Sequence, residues 1–140
     1  MNADEPAPAP RAHVWYVDDD EAIVFLVRRR LQRMGFAVVG HTNAREALAA
    51  LQDPGVVVDL LVTDQNMPVM NGLDFAAAVK ALRPSLRVVL SSGVVDEDLR
   101  HRARAVGVDA LIDKGVEVEV LFDTIAQLAT AGPSVSGGQG

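Results

Sequence analysis

Short apolar runs alternate five times with longer amphipathic stretches along this chain. The apolar runs are four or five residues long and rich in Val, Leu and Ile, which is typical of buried β-strands; they lie at residues 14–17, 37–40, 60–63, 87–91 and 110–113. The intervening stretches place apolar residues three and four positions apart, which predicts amphipathic helices. These helices are expected at residues 21–34, 43–52, 73–82, 96–106 and 117–130.

Glycine and proline mark the ends of these predicted elements. Gly35 follows the first helix, Gly107 follows the fourth, and Pro84 stops the third. The strands are apolar on both faces, as in a parallel sheet that helices cover on both sides. The repeated β–α order therefore predicts an α/β fold, a doubly wound sandwich in which ligands bind at the carboxyl ends of the strands.

The two ends of the chain differ in composition from the part between them. Pro6, Pro8 and Pro10 alternate with Ala near the start, and the last nine residues are rich in Gly and Ser. Such segments form linkers more readily than packed cores. We therefore expect a flexible leader at residues 1–12, one domain at residues 13–130 and a flexible tail at residues 131–140.

Acidic residues follow two of the predicted strands. Asp18 and Asp19 come directly after the first strand, and Asp64 comes directly after the third. Burying an unpaired carboxylate is costly, so these acids are expected to converge on a positive charge, and Mg²⁺, which prefers oxygen ligands, is the natural candidate. Ser92 and Lys114 also lie at strand carboxyl ends, and core packing alone does not account for this coincidence.

Composition narrows the class of protein. The 140 residues suffice for one domain with a full hydrophobic core, and no apolar run is long enough to span a bilayer. Cysteine is absent, which excludes disulfides and thiolate metal sites and favours a reducing compartment, so we expect a cytoplasmic location. The net charge of −6 argues against nucleic acid as the main partner.

Taken together, these motifs resemble the receiver domain of two-component response regulators, the CheY-like family. The resemblance covers residues 13–130. It rests on the acidic pair after the first strand, on the run Asp-x-x-Met-Pro-x-x-Asn-Gly that begins at Asp64, on a Ser-Gly step after the fourth strand and on a Lys after the fifth. It implies a three-layer (βα)5 sandwich with a five-stranded parallel sheet in the flavodoxin-like order 2-1-3-4-5.

The resemblance also implies a role for each site residue. Asp64 would be the phosphoacceptor, whose carboxylate attacks a phosphohistidine and becomes an aspartyl phosphate. Asp18 and Asp19 would hold Mg²⁺ together with Asp64 and the backbone carbonyl of Asn66. Mg²⁺ and Lys114 would neutralise charge on the phosphoryl group, which is how proteins promote such transfers.

A serine hydroxyl would bind a phosphoryl oxygen, and two serines compete for this role. We choose Ser92 over Ser91 because Ser92 directly precedes Gly93, where the family has a small residue. The interval from Ser92 to Lys114 (114 − 92 = 22) also matches the family. Ser91 is then a strand residue.

The implied function is that of a signalling module and not of an enzyme with a separate substrate. The phosphodonor would be a histidine kinase or a histidine phosphotransfer domain, with the exposed face of the first helix as its docking surface. The downstream partner would be another protein, with no role for nucleic acid or membrane. The chain is either a standalone regulator or, as the Ala/Pro leader favours, the C-terminal receiver of a hybrid sensor kinase.

Two positions depart from the family pattern. Gly115 follows Lys114 where the family usually has Pro, and Leu111 stands where many relatives carry Tyr or Phe. The phosphorylation chemistry is expected to survive both changes. The face formed by the fourth helix, the fifth strand and the fifth helix is expected to signal differently or weakly.

Other charged residues have simpler explanations. Asp20 is expected to cap the first helix, and we predict solvated helix faces for the runs Arg28-Arg29-Arg30 and Arg100, Arg102 and Arg104. The three histidines have no ligand spacing and receive no role: His13, His41 and His101.

Three alternative functions remain to be weighed. A haloacid-dehalogenase-type phosphatase would need Asp-x-Asp at the nucleophile, where this chain has Asn66 in the second position. A dinucleotide-binding domain would need Gly-x-Gly-x-x-Gly after the first strand, where acids stand instead. A degenerate receiver that acts only as a protein-interaction module ranks above both enzymes.

Overall fold

Five parallel strands form a single sheet in the order β2-β1-β3-β4-β5, and a helix follows each strand in the chain. A computed structural model describes residues 9–131. The strands are β1 His13–Val17, β2 Ala37–His41, β3 Leu60–Asp64, β4 Arg87–Ser92 and β5 Ala110–Asp113. The helices are α1 Glu21–Arg33, α2 Ala44–Leu51, α3 Gly72–Leu82, α4 Glu97–Val106 and α5 Val118–Thr130.

Every predicted strand and helix is present, and the predicted bounds differ from the observed ones by at most one residue. Two of these differences matter for the site, because Asp64 and Ser92 are the last residues of β3 and β4 rather than the first residues beyond them. Asp64 pairs with Ser91, and Ser92 pairs with Asp113. The sheet ladders therefore hold the backbone of both residues.

The sheet separates two layers of helices, as the predicted three-layer sandwich requires. Val14 and Tyr16 of β1 pack with α1 and α5 on one face, whereas Trp15 and Val17 pack with α2 and α3 on the other. This alternation follows from the twofold periodicity of a strand. A smaller cluster on the same side as α3 joins it to α4 through Leu73, Leu90, Leu99 and Ala103.

The topology creates a crevice at the carboxyl edge of the sheet. β1 and β3 are neighbours in the sheet, and the chain leaves β1 for α1 on one face but leaves β3 for α3 on the other. The loops therefore diverge beyond β1 and β3, and such a switch point is where ligands bind in open α/β sheets.

Helix ends are set by local side chains. Asp20 caps α1, as predicted, because its carboxylate accepts hydrogen bonds from the amides of Ala22 (3.0 Å) and Ile23 (3.3 Å). Asn43 caps α2 and Asp96 caps α4 in the same way. Because Asp20 caps α1, the helix begins directly after Asp18 and Asp19. The position of the helix start therefore restricts where these two residues lie.

Arg30 of α1 makes contacts that the prediction of a solvated face did not include. Its guanidinium lies 4.1 Å from the centroid of the Phe122 ring and pairs with Glu119 of α5. The Arg30 side chain is still 40% exposed, so it lies at a solvated edge of α1 and also contacts α5, a contact that sequence periodicity did not reveal. Arg100 and Arg102, in contrast, pair only loosely with acids of their own helix.

Residues near the chain ends are partly described. Arg11 donates its backbone amide to the carbonyl of Gly35 at 2.8 Å, and Ala12 is buried in the core beside α1. The rest of the predicted leader, residues 1–8, and the predicted tail from residue 132 onward lie outside the described residues. Within residues 9–131, no helix combines the length and the apolar character that crossing a membrane requires.

Two glycines beside the crevice make a matched test of the packing. A Cβ added at Gly72 would lie 2.5 Å from the carbonyl oxygen of Asp64 and 2.8 Å from the Cα of Gln65, whereas a Cβ at Gly93 would meet nothing within 4 Å. We expect Gly72→Ala to lower the free energy of unfolding by roughly 1–3 kcal/mol, because the backbone of β3 must shift. Urea denaturation checks this. Gly93→Ala is the control, and equal stability of the two variants would contradict the packing argument.

Candidate metal centre

Three carboxylates converge at the carboxyl edge of the sheet. Asp18, Asp19 and Asp64 each place one carboxylate oxygen within 4.8 Å of the others. Asp18 and Asp64 are buried and Asp19 is exposed, so the cluster opens to solvent on one side only. The convergence predicted from the sequence is thus present in the structure.

Asp64 lies at the centre of this cluster. Its Oδ1 is buried and accepts no well-directed hydrogen bond from any described residue, but the Nζ of Lys114 lies 2.6 Å away as an ion-pair partner. Three carboxylates and one ammonium leave a formal charge of −2 (−3 + 1 = −2). A divalent cation would neutralise that charge.

Asp18 is held by two donors. The amide of Asp20 donates to its Oδ1 at 3.0 Å, and the hydroxyl of Tyr16 donates to its Oδ2 at 3.3 Å. Burial raises the pKa of Asp18, the hydrogen bond from the Asp20 amide lowers it in part, and the negative charge of Asp64 raises it further. The cluster is therefore electrostatically strained as long as nothing positive beyond Lys114 enters it.

These residues fit a hard cation such as Mg²⁺. The set offers only oxygen ligands, it carries excess negative charge, and it contains a buried carboxylate oxygen, Oδ1 of Asp64, that accepts no well-directed hydrogen bond from a described residue. The side chain of Asn66, two residues beyond Asp64, is exposed on the loop after β3. The acids alone could hold a metal ion, and the backbone carbonyl of Asn66 stays a prediction.

The loop that carries Lys114 is fixed by a residue that the sequence analysis did not single out. The carboxylate of Asp113 accepts a hydrogen bond from the amide of Gly115 at 2.7 Å, and its carbonyl accepts one from Val116 at 3.1 Å. The amide of Lys114 donates to the carbonyl of Ser92 at 2.8 Å. An Asx turn at Asp113 thus orders the segment where Gly115 replaces the usual Pro, and the Asp-x-Gly pattern could have indicated it.

The two candidate serines occupy different positions around the site. The hydroxyl of Ser92 donates to the carbonyl of Val94 at 2.8 Å and is buried, so it is engaged with its own loop. Ser91 stands beside Asp64 in the β3–β4 ladder, and its carbonyl accepts the amide of Gln65 at 2.8 Å. Because successive strand residues point to opposite faces, the two hydroxyls cannot share one role. The choice of Ser92 stays a prediction.

Gln65 stabilises the loop between β3 and α3 through two hydrogen bonds. The sequence did not lead us to single out this residue. Its side-chain oxygen accepts the amide of Leu73 and its backbone carbonyl accepts the amide of Gly72, both at 2.9 Å. On the same loop, Val69 has a φ of 73° and is largely exposed. A β-branched residue rarely adopts this conformation, so the loop holds Val69 under strain at the rim of the site.

Comparisons with known proteins agree with the geometry. Residues 14–126 match the model of the response regulator receiver domain. The chain is 34% identical over 119 residues to the sensory/regulatory protein RpfC of Xanthomonas campestris, covering 81% of this chain and 16% of that protein. It is 31% identical over 109 residues to the DNA-binding transcriptional regulator NtrC of Salmonella typhimurium, covering 78% of this chain and 23% of that protein. The chain thus spans less than a quarter of the length of either relative.

A solved structure shares the fold over most of the chain. The chemotaxis protein CheY4 of Vibrio cholerae superposes with a TM-score of 0.76 at 29% sequence identity, covering 84% of this chain and 98% of that one. The predicted strand order and helix placement are therefore confirmed both by the observed sheet and by this likeness.

The charge of the cluster leads to a prediction about stability. We expect Asp18→Asn to raise the free energy of unfolding of the metal-free protein at pH 7 by on the order of 1 kcal/mol, because it removes a buried charge that also lies beside the negative charge of Asp64. Thermal unfolding with and without Mg²⁺ checks this. Mg²⁺ should stabilise the wild-type protein more than the variant.

The pH dependence has a definite sign. The pKa of Asp18 is raised in the folded state, so the charged carboxylate destabilises the fold increasingly as pH rises from its unfolded pKa, about 4, through its folded pKa. The gain of Asp18→Asn should therefore be present at neutral pH and vanish below about pH 4. Exposed Asp19→Asn is the control, and an equal gain there would contradict an origin in burial.

Proposed function

The chain belongs to the family of response regulator receiver domains, and we propose that it is a phosphoacceptor switch in which Asp64 takes the phosphoryl group. One observation carries this proposal: the buried carboxylate of Asp64 pairs with Lys114 Nζ at 2.6 Å and lies within the same acidic cluster as Asp18 and Asp19. This arrangement supplies a nucleophile, a fixed positive charge and ligands for a divalent cation at one point.

The proposed reaction is transfer from a phosphohistidine on a histidine kinase or phosphotransfer domain. A carboxylate oxygen of Asp64 attacks phosphorus, a P–O bond forms, and the P–N bond to the donor imidazole breaks. The imidazole leaves with its electron pair and takes up a proton. The product is an acyl phosphate on Asp64, and no separate substrate is turned over.

Asp18, Asp19, Asp64 and the carbonyl of Asn66 are the proposed Mg²⁺ ligands. When bound, the ion supplies positive charge to the phosphoryl oxygens. Lys114 supplies a second positive charge, and it would pass from the Asp64 carboxylate to a phosphoryl oxygen as the new bond forms. The Asx turn at Asp113 supports this role because it fixes the backbone on both sides of Lys114.

Ser92 is the residue that we propose couples phosphorylation to a change of loop conformation. Its hydroxyl would leave the carbonyl of Val94 and donate to a phosphoryl oxygen, which would move the β4–α4 loop. Leu111 is partly buried against the cluster that joins α3 to α4, and no aromatic ring stands in its place to reorient. We therefore propose that this chain transmits phosphorylation to a downstream protein through the β4–α4 loop and α4.

The exposed face of α1 is the proposed docking surface for the phosphodonor. Phe25 is 46% exposed and Leu26 is 64% exposed, and the guanidinium groups of Arg28 and Arg29 lie 6.0 and 5.6 Å from the centroid of the Phe25 ring. A groove of about 600 Å³ runs between this face and Phe122 of α5. Apolar residues beside arginines are typical of interface centres, and α1 begins next to the acidic cluster.

We propose the cytoplasm as the compartment, since a cysteine-free sequence suits a reducing environment. A degenerate receiver remains the alternative function. In a degenerate receiver the site would lack a working nucleophile or a bound metal ion. The cluster of Asp18, Asp19 and Asp64 does not favour this alternative.

The first prediction concerns the phosphoacceptor. Incubation with acetyl phosphate and Mg²⁺ should add one phosphoryl group, because the small donor needs only Asp64, the metal and Lys114. Intact-mass spectrometry checks this. The adduct should be lost in Asp64→Asn and in EDTA, and kept in Asp74→Asn, an exposed acid in the first turn of α3. Absence of the adduct despite demonstrated Mg²⁺ binding would establish the degenerate alternative.

The second prediction concerns the docking surface. We expect Leu26→Ser to lower the rate of phosphotransfer from a phosphohistidine-containing donor protein by about tenfold, since truncating an interface centre typically costs over 1 kcal/mol. The rate with acetyl phosphate should stay unchanged, because this donor does not touch α1. Val57→Ser, at an exposed apolar residue (59%) before β3, is the control. Equal loss in both variants, or loss with acetyl phosphate, would contradict docking at α1.

A further inference from the structure

Tyr16 is a buried polar residue whose role the proposed function leaves open. It lies on β1, and Asp18 follows directly after the end of that strand, with its carboxylate next to the Tyr16 hydroxyl. Only 3% of Tyr16 is exposed, and its hydroxyl donates to Oδ2 of Asp18 at 3.3 Å. A buried hydroxyl costs free energy unless it is hydrogen-bonded, and Asp18 provides that partner.

The surroundings of Tyr16 hold its hydroxyl in place. Its ring belongs to the core cluster between the sheet and the α1–α5 layer, with Val27, Val62 and Val89. Side chains packed at this density have little freedom to move. A phenol is protonated at neutral pH, so the Tyr16 hydroxyl is a hydrogen-bond donor there.

Asp18 is consequently restrained from two sides. The Asp20 amide binds one carboxylate oxygen and the Tyr16 hydroxyl binds the other. The first donor comes from the backbone at the start of α1, and the second comes from the rigid core. Two donors on two different oxygens fix both the position and the rotation of the carboxylate.

We propose that Tyr16 is a positioning residue that orients the Asp18 carboxylate toward the divalent cation and thereby sets the affinity of the site for Mg²⁺. This inference rests on the proposed function, which places Asp18 among the Mg²⁺ ligands. Mg²⁺ demands near-ideal octahedral geometry, so it is sensitive to the orientation of each carboxylate. Partners that hydrogen-bond a ligating carboxylate typically change metal affinity by 10- to 100-fold when removed.

Tyr16→Phe tests the inference because it removes the hydroxyl and keeps the ring. Isothermal titration with Mg²⁺ alone should show about tenfold weaker binding than in the wild-type protein. The rate of phosphorylation by acetyl phosphate at saturating Mg²⁺ should stay within about twofold of the wild-type rate, because Asp64 and Lys114 are untouched. Tyr16→Leu is a second hydroxyl-free variant, to be used if the first one does not fold.

Val27→Ala separates positioning from packing. Val27 belongs to the same core cluster as Tyr16, and its valine side chain has no group that could hydrogen-bond Asp18. This variant should lower the melting temperature and leave Mg²⁺ affinity unchanged. A merely structural role for Tyr16 would instead make the two variants alike, with Mg²⁺ affinity following stability.

The outcomes separate this inference from the proposed function. Unchanged Mg²⁺ affinity in the folded hydroxyl-free variant would overturn the positioning role, and so would a saturated rate that falls as much as the affinity. In both cases wild-type phosphorylation at Asp64 would stand. If the wild-type protein binds no Mg²⁺, or if Asp19→Asn and Asp64→Asn bind it as well as wild type does, the proposed metal site fails and the inference falls with it.

Discussion

The structure depends on keeping two buried carboxylates, Asp18 and Asp64, side by side at the edge of a hydrophobic sheet. Burial and mutual repulsion both disfavour this arrangement, and among the described residues Lys114 supplies the direct countercharge at 2.6 Å from Asp64. The fold tolerates the cluster because Asp64 is the last residue of β3 and the backbone amide of Asp18, just beyond β1, donates to the carbonyl of His41. Because the charged cluster is unfavourable without a cation, a bound divalent ion would change its electrostatic balance.

Hydrogen bonds in the surrounding loops hold the backbone around this unfavourable cluster in place. Asp20 begins α1 immediately beyond the acidic pair, Gln65 ties the β3 end to the first turn of α3, and Asp113 orders the turn that carries Lys114. Gly72 permits close approach of α3 to the backbone of Asp64. Strain at Val69 shows that the same loop is held in a conformation that its own residue disfavours. Order around a charged cluster is what a binding site for Mg²⁺ needs.

Family membership narrows the function, and two residues depart from the pattern that the resemblance led us to expect. Comparison with receiver domains decides against a phosphatase or a dinucleotide-binding domain. Leu111 packs with the cluster that joins α3 to α4, and Gly115 follows an Asx turn. Neither residue belongs to the charged cluster, which matches the arrangement expected from the motifs.

The sequence by itself determined the order of strands and helices, the cap at Asp20, and the convergence of Asp18, Asp19, Asp64 and Lys114, because strand periodicity and parallel topology place these residues at one edge. It could not show that Arg30 packs on Phe122, that Asp113 fixes the turn after β5, or that the hydroxyl of Tyr16 reaches Asp18. The position of Tyr16, two residues before Asp18, was a usable indication that the sequence analysis did not take up. Such contacts depend on distances and side-chain directions between elements, and only the tertiary structure decides them, because periodicity states which face a residue occupies and not which partner it meets there.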